Sequence, residues 1–371
     1  MGGYHEQVQE PSTRAKPFVC HPDGAVYLAT RDGNTLIVRN TQEKELSIWQ
    51  LRQPLGRLTL EWAGPCSGEL QTTELLAAIE AAFTSYPEQH RLDLFAPTRQ
   101  ADELLSSGII IKGEQNRLTI CAELFWQQPR IWLTSPRPDV FPLYYILSQG
   151  QRHPLRPPKP SGTVYRRHIP WLDHTLSFRV VDLEYDLERF SRWMNDPVVA
   201  QSWQEEGDLA KHRAYLEGIA ADPRTIGLIG CLNDEAVGYF EVYWAKEDHI
   251  APFYDADDFD RGWHVLIGEA AFRGKPFVTS WLPSISHYLF LDDCRTRRIV
   301  IEPRSDNHKM IRNLTKCGYA NLKEFDFPHK RALLAMLLRE RFFFERLWVP
   351  RNNLITPSSE SLSRGHRHAH S

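Results

Sequence analysis

Two residues are the best candidates in this chain for proton transfer. One is a histidine inside an apolar segment, and the other is an aspartate just after a second apolar segment. His264 lies in residues 259–268, which are predicted to form a buried strand, and Asp306 follows residues 298–302, a second predicted strand. Histidine titrates near neutral pH, so His264 is a candidate general base, and Asp306 could take the acceptor's proton or orient a charged substrate. A satisfied core histidine and a helix-capping aspartate are the alternatives. One crossover helix would make the two strands neighbours, which favours the catalytic interpretation.

A glycine-bearing turn at residues 268–275 lies between these two segments, after a predicted strand and before a predicted helix. Backbone N–H groups at a helix N-terminus, with the helix dipole behind them, attract phosphate. Gly274 would let the backbone approach such a ligand, and Arg273 and Lys275 would add positive charge. Many strand–helix turns carry glycine without binding anything. Together with the histidine and the aspartate, the turn suggests transfer of a group from a phosphate-bearing carrier.

Polar groups on a third predicted strand, residues 236–244, could bind the acceptor. Alternation places Glu241 and Tyr243 on one face of this strand and apolar residues on the other. Glu241 could hold a cationic amino-acid substrate, although a solvated sheet face explains it equally well. Near the aspartate, Glu302 and Arg304 could instead pair with each other.

The composition is typical of a soluble globular protein, with 42% hydrophobic and 25% charged residues in a chain of 371. This length predicts two domains, whose cores need no disulfide or metal.

The net charge of −3 does not indicate a nucleic-acid partner, for which a basic patch is expected. No apolar run of about 18 residues is present, so no membrane span is predicted. The N-terminal residues lack the apolar centre of a signal peptide. The six cysteines are scattered without a C-x-x-C pair, which indicates reduced thiols in a cytoplasmic protein.

The chain divides near residue 155, where four prolines between positions 154 and 160 predict an extended, semi-rigid connector. Residues 1–155 contain strand-like runs and a predicted helix at 72–85, without a cluster of reactive residues, and are expected to form an accessory domain. Residues 161–348 contain all the candidate site residues. The polar, histidine-rich residues 349–371 are expected to form a disordered tail.

The second region is predicted to be a mixed α/β domain. Its helices are predicted at residues 187–194, 212–221, 276–291 and 307–316, among strands that include 175–181, 225–231, 322–327 and 332–338. Pro283 is expected to kink the third helix or to delay its start.

Several runs of residues carry a family resemblance over most of residues 160–345. They are residues 165–167, 176–179, 192–197, 239–245, 259–262, 302–307 and 323–331. On these runs the chain resembles the acetyl-CoA-dependent N-acyltransferase superfamily known as GNAT. Within it, the chain is most similar to the hydroxamate-siderophore acyltransferases that acetylate N6-hydroxylysine. The first 150 residues resemble the family's N-terminal domain only weakly, and a degenerate GNAT-like domain is one interpretation.

The resemblance implies a GNAT fold and direct transfer of an acyl group from acetyl-CoA to a hydroxylamine nitrogen, without an acyl-enzyme or a metal. The family's proposed catalytic pair falls on His264 and Asp306. The residues implied to contact the coenzyme are Leu266, Gly268, Arg273, Gly274, Lys275 and Asn307. The residues implied to contact the acceptor are Trp203, Glu241, Tyr243 and Arg304.

The sequence departs from the superfamily pattern at two positions. Pro276 stands where a second glycine is common, so one N–H donor to phosphate is missing, although proline is tolerated at the start of a helix. Leu314 stands where many members place the tyrosine that protonates the leaving thiolate. Tyr319 or water would then have to supply that proton.

Three hypotheses follow. The first is an acetyltransferase that acts on hydroxylysine. The second is a related enzyme that acylates hydroxyornithine or hydroxyputrescine, or that uses succinyl-CoA or another acyl-CoA. The third is a non-catalytic acyl-CoA-binding or assembly protein that retains the fold. Turnover by the purified protein would exclude the third. The sequence does not fix the oligomeric state.

Overall fold

The computed structural model describes residues 16–66, 68–113, 117–137, 139–148, 150–328 and 330–350. These residues form two eight-stranded sheets, with a two-stranded hairpin between them in the chain. Within these ranges no helix is long and apolar enough to cross a membrane. The tail predicted at residues 349–371 lies outside the described residues from position 351 onward.

The first sheet and its helices occupy residues 18–132. Its strands are β1 (Phe18–Cys20), β2 (Tyr27–Asp32), β3 (Thr35–Asn40), β4 (Glu45–Arg52), β5 (Leu58–Pro65), β6 (Arg91–Phe95), β7 (Ile110–Lys112) and β8 (Leu118–Cys121). Its helices are α1 (Thr72–Ser85), α2 (Thr98–Ser106), α3 (Ala122–Phe125) and α4 (Pro129–Trp132). The strand order is β1-β2-β3-β4-β5-β6-β8-β7, and β5 and β6 run parallel.

The hairpin of β9 (Tyr145–Ser148) and β10 (Gln151–Pro154) precedes the second sheet. The strands of that sheet are β11 (Thr163–Ile169), β12 (His174–Val180), β13 (Thr225–Leu232), β14 (Glu235–Trp244), β15 (Arg261–Ile267), β16 (Arg298–Ile301), β17 (Ala320–Asp326) and β18 (Arg331–Leu338). Its helices are α5 (Leu183–Met194), α6 (Pro197–Trp203), α7 (Leu209–Ala221), α8 (Lys275–Asp292), α9 (His308–Lys316) and α10 (Arg339–Phe344). The strand order is β11-β12-β13-β14-β15-β16-β18-β17.

The two sheets share one strand order, and each contains a parallel pair formed by its fifth and sixth strands. The two pairs differ in length. Strands β5 and β6 stay in register from Leu58↔Leu92 to Glu61↔Phe95. Strands β15 and β16 are in register at Arg261↔Ile299 alone. The second sheet therefore opens between β15 and β16, whereas hydrogen bonds hold the corresponding strands of the first sheet together.

Hydrophobic clusters cover both faces of the second sheet. One cluster includes Trp263 of β15 and the buried side of α8. The other joins Leu266 of β15 to Phe190 of α5 and Leu216 of α7. Because successive side chains of a strand point to opposite faces, His264 lies on the same face as Leu266, which α5 and α7 cover.

The predicted helices agree with the structure where the sequence supplies caps and breakers. Helix α1 has the predicted bounds. Helix α5 ends at the predicted residue but begins earlier, because Asp182 caps its N-terminus by accepting from two backbone N–H groups. The expectation that Pro283 delays the start of the third helix is wrong, since α8 begins at Lys275. Packing of a long buried face outweighs the one backbone hydrogen bond that the proline removes.

Charged side chains hold the predicted connector against residues next to the second sheet. Arg156 donates to Glu247 from Nε and Nη2, both at 2.6 Å, and both side chains are 2% exposed. Lys159 donates from Nζ to the carbonyls of Ile219 and Ala220, at the end of α7. The proline-rich segment is therefore fixed in place by contacts that its composition does not indicate.

Candidate active site

The opening between β15 and β16 forms a cleft at the carboxyl ends of two parallel strands, where ligands commonly bind in open α/β sheets. The residues of β15 beyond Arg261 and those that follow β16 form its two sides. The turn that leads from β15 into α8 lies at the same end. The cleft thus combines the predicted base with the predicted phosphate-binding turn.

His264 lies between two carboxylates in this cleft. Its Nε2 is 2.8 Å from Oε1 of Glu302, and its Nδ1 is 3.4 Å from Oε2 of Glu241. Glu241 is directly opposite His264 on β14. Arg261 of β15 pairs with Ile299 of β16. His264 is three residues after Arg261, and Glu302, the first residue after β16, is three residues after Ile299. Two neighbouring strands therefore bring both carboxylates to one imidazole.

Both carboxylates are buried and carry further hydrogen bonds. The Tyr215 and Tyr239 hydroxyls donate to Oε1 of Glu241 at 2.5 and 2.9 Å. Tyr243 donates to Oε2 of Glu302 at 2.9 Å, and Lys330 Nζ is 3.4 Å from Oε1 of Glu302. Buried charge is tolerated when it is paired and hydrogen-bonded in this way.

The imidazole of His264 is cationic at neutral pH in the free protein. Burial alone lowers its pKa, but the charge of Glu302 and the hydrogen bonds with Glu241 and Glu302 outweigh that effect and raise the pKa to about 10. Burial alone would raise the pKa of Glu302, but His264, Lys330 and Tyr243 hold it well below its ordinary value. The group is therefore an imidazolium between two carboxylates.

Asp306 lies outside this hydrogen-bonded group. Its carboxylate accepts from Arg304 Nε at 3.1 Å and from Nη2 at 2.9 Å, and its side chain is 66% exposed. These hydrogen bonds and the charge of Arg304 lower the pKa of Asp306. Asn307, not Asp306, caps α9, because its Oδ1 accepts from the Met310 N–H at 3.1 Å. The structure brings Glu302 to His264 and pairs Asp306 with Arg304.

The predicted phosphate-binding turn is held by its own hydrogen bonds. Arg273 donates to the carbonyls of Ile267 and Gly268 at 2.8 and 2.9 Å and pairs with Asp196. Lys275 is exposed at the first position of α8. Of the two residues predicted to supply positive charge, Arg273 therefore stabilises the turn, and Lys275 is the one directed to solvent. Leu266 is buried in the sheet core.

Gly268 is required by close packing. A Cβ at this position would lie 2.1 Å from Cγ of Trp193, a core residue of α5 whose indole donates to Glu269. We expect Gly268→Ala to lower the free energy of unfolding by about 1–3 kcal/mol and to weaken CoA binding, because Trp193 and the turn must shift. Urea denaturation and calorimetric titration with CoA would measure both effects.

Gly218→Ala in α7 is the matched control, since a Cβ there meets no atom within 4 Å. Alanine in a helix should raise the free energy of unfolding by roughly 0.5–1 kcal/mol. Equal stability of the two variants would contradict the packing role of Gly268.

The predicted acceptor residues fall into two groups. Trp203, Glu241 and Tyr243 surround the imidazole, with the Trp203 and Tyr243 ring centroids 6.4 and 4.9 Å from that of His264. Arg304 stands apart with Asp306. Two further residues reach the site without having been predicted there: His249, whose ring stacks at 6.5 Å from that of His264, and Lys330, which contacts Glu302. Lys330 lies in the run 323–331 that carries the family resemblance, whereas His249 has no signal in the sequence, because it reaches the cleft from a loop.

Tyr319 is not placed to protonate a leaving thiolate. Its hydroxyl hydrogen-bonds Trp263 Nε1 and Ser286 Oγ, each at 2.9 Å, on the α8 side of the sheet. The side chain is buried, and burial raises its pKa. This expectation is therefore wrong, because Tyr319 packs against Trp263, whose side chain is on the face of β15 opposite to that of His264. Among the described residues no group of histidine, cysteine, aspartate and glutamate forms a candidate metal site.

Comparison with known proteins places this geometry in a family. Residues 182–327 match the model of the acetyltransferase (GNAT) domain, which confirms the predicted fold class. An Escherichia coli protein named N(6)-hydroxylysine O-acetyltransferase is 41% identical over 75% of this chain and 87% of its own length. A hydroxyornithine transacylase from Ajellomyces capsulatus is 41% identical over 55% of this chain and 49% of its own length. Among solved structures, an aminoglycoside acetyltransferase in complex with coenzyme A aligns with a TM-score of 0.43 and 24% identity, over 46% of this chain and 99% of that one.

Proposed function

Because this chain belongs to the GNAT acyltransferase family that includes the Escherichia coli N(6)-hydroxylysine O-acetyltransferase, we propose that it acetylates the hydroxylamine nitrogen of N6-hydroxylysine. The acyl donor is acetyl-CoA, and the product is a hydroxamate for siderophore biosynthesis in the cytoplasm. The observation that carries this proposal is the imidazole of His264 at the opening between β15 and β16, held by Glu302 at 2.8 Å.

The chemistry is a direct transfer between two bound substrates. The hydroxylamine nitrogen forms a bond to the thioester carbonyl carbon, and the π electron pair of the carbonyl moves to oxygen. The nitrogen then loses its proton to Nδ1 of the neutral form of His264, because the contact of Nδ1 with Glu241, at 3.4 Å, is the longer of the two that the ring makes. The carbonyl re-forms as the carbon–sulfur bond breaks, and its electron pair leaves with sulfur. Water protonates the CoA thiolate. Holding both substrates side by side supplies much of the rate advantage.

Acylation at nitrogen is the specific claim, since a hydroxylamine also has a nucleophilic oxygen. A neutral nitrogen with an available lone pair needs no prior deprotonation, whereas the hydroxyl must lose its proton to become a strong nucleophile. The test is incubation of the purified protein with N6-hydroxylysine and acetyl-CoA, followed by chromatography of the product and addition of iron(III). A hydroxamate forms a coloured iron(III) complex. An O-acetyl product of equal mass, without that colour, would refute the proposal.

The acceptor is proposed from Arg304 and from the relatives. Arg304 stands two residues beyond Glu302, paired with Asp306, and its partly exposed guanidinium could also bind an acceptor carboxylate. An amino acid has that carboxylate, whereas hydroxyputrescine does not. Hydroxyornithine is the second candidate, because a hydroxyornithine transacylase is a relative. A panel of these three acceptors with acetyl-CoA and succinyl-CoA would decide. Release of CoA with hydroxyornithine and none with hydroxylysine would favour the second candidate.

The raised pKa of His264 gives a pH prediction. The imidazolium predominates below about pH 10, and only the neutral form can accept a proton. We therefore expect kcat/KM for the acceptor to rise from neutral pH toward pH 10, by about tenfold per unit where the cation predominates. Initial rates of CoA release at acceptor concentrations well below KM would measure this profile. A kcat/KM that does not change over this range would mean that His264 is not the base.

The carboxylate partner of His264 can be assigned from the same profile. The sequence predicts Asp306, whereas the structure places Glu302 at hydrogen-bond distance. Glu302→Gln removes an anion that favours the imidazolium, so its profile should begin to rise at a lower pH. Asp306→Asn is the matched control and should leave the position of the profile unchanged. A shifted profile for Asp306→Asn together with an unshifted profile for Glu302→Gln would favour the pair of His264 and Asp306 predicted from the sequence.

We also propose that the first domain is a GNAT-like accessory domain without a coenzyme site. Its strand order is that of the second sheet, but β5 and β6 remain hydrogen-bonded where β15 and β16 separate. A closed parallel pair leaves no room for an acyl chain between the strands. Calorimetric titration of the whole chain should give one CoA per chain, and two equivalents would contradict this assignment.

A further inference from the structure

A serine, a histidine and a glutamate form one chain of contacts beside the hairpin of β9 and β10. Ser148 ends β9, and its Oγ is 2.5 Å from Nε2 of His153 on β10. On the other side of the ring, Nδ1 of His153 is 2.8 Å from Oε1 of Glu247, which follows β14 in the chain. A hydroxyl, an imidazole and a carboxylate in this order form the arrangement that activates a serine as a nucleophile.

The contacts of His153 indicate which ring nitrogen carries the proton. Nδ1 faces two acceptors, the Glu247 carboxylate and the backbone carbonyl of Pro154, each at 2.8 Å. Neither acceptor has a proton to donate, so Nδ1 of the neutral ring is the N–H donor. Nε2 is then the unprotonated nitrogen, and the Ser148 hydroxyl donates to it. In this tautomer the histidine can take the serine proton as a general base.

Glu247 is placed to stabilise the imidazolium that forms when His153 takes that proton. Its side chain is 2% exposed and that of His153 is 5% exposed. Arg156 donates to both carboxylate oxygens of Glu247 at 2.6 Å, which keeps the carboxylate ionised. A buried carboxylate beside Nδ1 therefore orients the ring and balances its positive charge.

The serine and the histidine line a cavity of about 450 Å³, within the roughly 300–1,000 Å³ typical of small-molecule sites. Ser148 is half-buried at this cavity. The guanidinium groups of Arg156 and Arg224 also line it, the second paired with Asp222. They could stabilise negative charge that develops on a carbonyl oxygen. The apolar walls come from Ile146, Leu155, Ala221 and Pro223.

The cavity is distinct from the cleft between β15 and β16. Among the described residues, none that lines the cavity belongs to the candidate active site. A second serine–histidine pair, on α5 and α7, shows what the hairpin site adds. Ser191 Oγ is 2.9 Å from Nδ1 of His212, but Nε2 of that ring faces the backbone carbonyl of Glu205. That ring is oriented by a carbonyl, whereas the ring of His153 also contacts a buried carboxylate.

We infer that Ser148 and His153 are the catalytic residues of a second site, which hydrolyses small esters of apolar acids, and that Glu247 is their positioning residue. The Ser148 Oγ forms a bond to the ester carbonyl carbon, and its proton passes to Nε2 of His153. The π electron pair moves to oxygen. When the carbonyl re-forms, the alcohol leaves with the proton from His153. Water then attacks the acyl-serine and gives its proton through His153 back to Ser148, which releases the acid.

The first test uses the full chain without any substitution. A fluorophosphonate, which reacts with activated serine hydroxyls, is the probe, and mass spectrometry of the peptides locates the adduct. Neither CoA nor a hydroxylated amine is added, so the outcome does not depend on the proposed acyltransferase reaction. We expect one adduct per chain, on Ser148. No adduct, or an adduct on another residue, would overturn the inference.

The second test measures hydrolysis of p-nitrophenyl butyrate from the p-nitrophenol that is released. Ser148→Ala should lower kcat/KM by at least about 10²-fold, and His153→Gln by about 10²–10⁴-fold. Ser191→Ala, which removes the hydroxyl of the other serine–histidine pair, is the matched control and should hydrolyse the ester at the full rate. A Ser148→Ala protein as fast as this control would show that the serine is not the nucleophile.

Glu247→Gln tests the positioning role, because glutamine keeps an acceptor for Nδ1 but removes the negative charge. Hydrolysis requires the neutral form of His153, so kcat/KM rises with pH as the ring loses its proton. Loss of the anion, with Arg156 still beside it, favours the neutral ring. The rise should therefore begin at a lower pH, while the maximal rate falls. A lower rate with an unshifted profile would mean that Glu247 supports only the structure.

Discussion

Replacing His264 with asparagine is expected to lower kcat by about 10²–10⁴-fold, the usual contribution of a positioned acid–base group. Asparagine keeps a polar side chain between Glu241 and Glu302 but cannot accept the nitrogen's proton. The Kd for CoA should not change, because the turn that we propose binds the CoA phosphates lies beyond the end of β15. Steady-state rates and calorimetric titration with CoA would separate turnover from binding.

His90→Asn is the control for this substitution. His90 is an exposed histidine of the first domain that pairs with Glu123 at 2.8 Å, and its loss should leave kcat unchanged. If the His264 variant keeps full turnover, the nitrogen's proton is lost directly to water, and the imidazole only balances the charge of two buried carboxylates. If the variant loses CoA affinity together with turnover, His264 supports the cleft rather than the proton transfer.

Replacing Arg156 with methionine is expected to lower the free energy of unfolding by about 3–5 kcal/mol, the usual cost of breaking a buried ion pair from one side. The substitution would leave Glu247 buried with its charge uncompensated, although His153 Nδ1 remains 2.8 Å away. It would also remove the guanidinium from its position 4.2 Å above the Trp244 ring. Urea denaturation monitored by tryptophan fluorescence would measure the loss.

The exposed pair of Arg99 and Glu69 provides the matched control. These side chains are 85% and 82% exposed and 3.5 Å apart, so Arg99→Met should change the free energy of unfolding by less than about 1 kcal/mol. The double substitution Arg156→Met and Glu247→Leu should recover part of the loss, since it removes the stranded charge. A single Arg156→Met variant as stable as the Arg99→Met variant would show that the connector is not held by this pair.

Sequence reasoning found the elements of the site but not its hydrogen bonds. The strand that carries His264, the next strand and the glycine turn follow from apolar runs and from glycine and proline positions. The sequence shows Glu302 only as a neighbour of Asp306, because its contact with His264 depends on a parallel register that sets His264 and Glu302 equally far beyond one paired position. If the register of β15 and β16 were known, the pairing of His264 with Glu302 could be predicted. That register is set by the tertiary structure, so the sequence alone does not give it.

The two sheets show the same limit on a larger scale. Both sheets have one strand order, and short apolar runs predict strands in both. The sheets differ in whether the parallel pair stays hydrogen-bonded, as β5 and β6 do, or separates, as β15 and β16 do. Apolar runs do not specify that difference, because it depends on how strands pair.

The sequence alone determined the mixed α/β class, the order of elements in the second domain and the imidazole at its centre. These features depend on local periodicity, on capping and breaking residues, and on residue types that keep their chemistry in any fold. The tertiary structure decided which carboxylates reach that imidazole, that its pKa rises and that Tyr319 faces away from the cleft. Such properties depend on distances between residues far apart in the chain and on their shared exclusion of water, which no short stretch of sequence specifies.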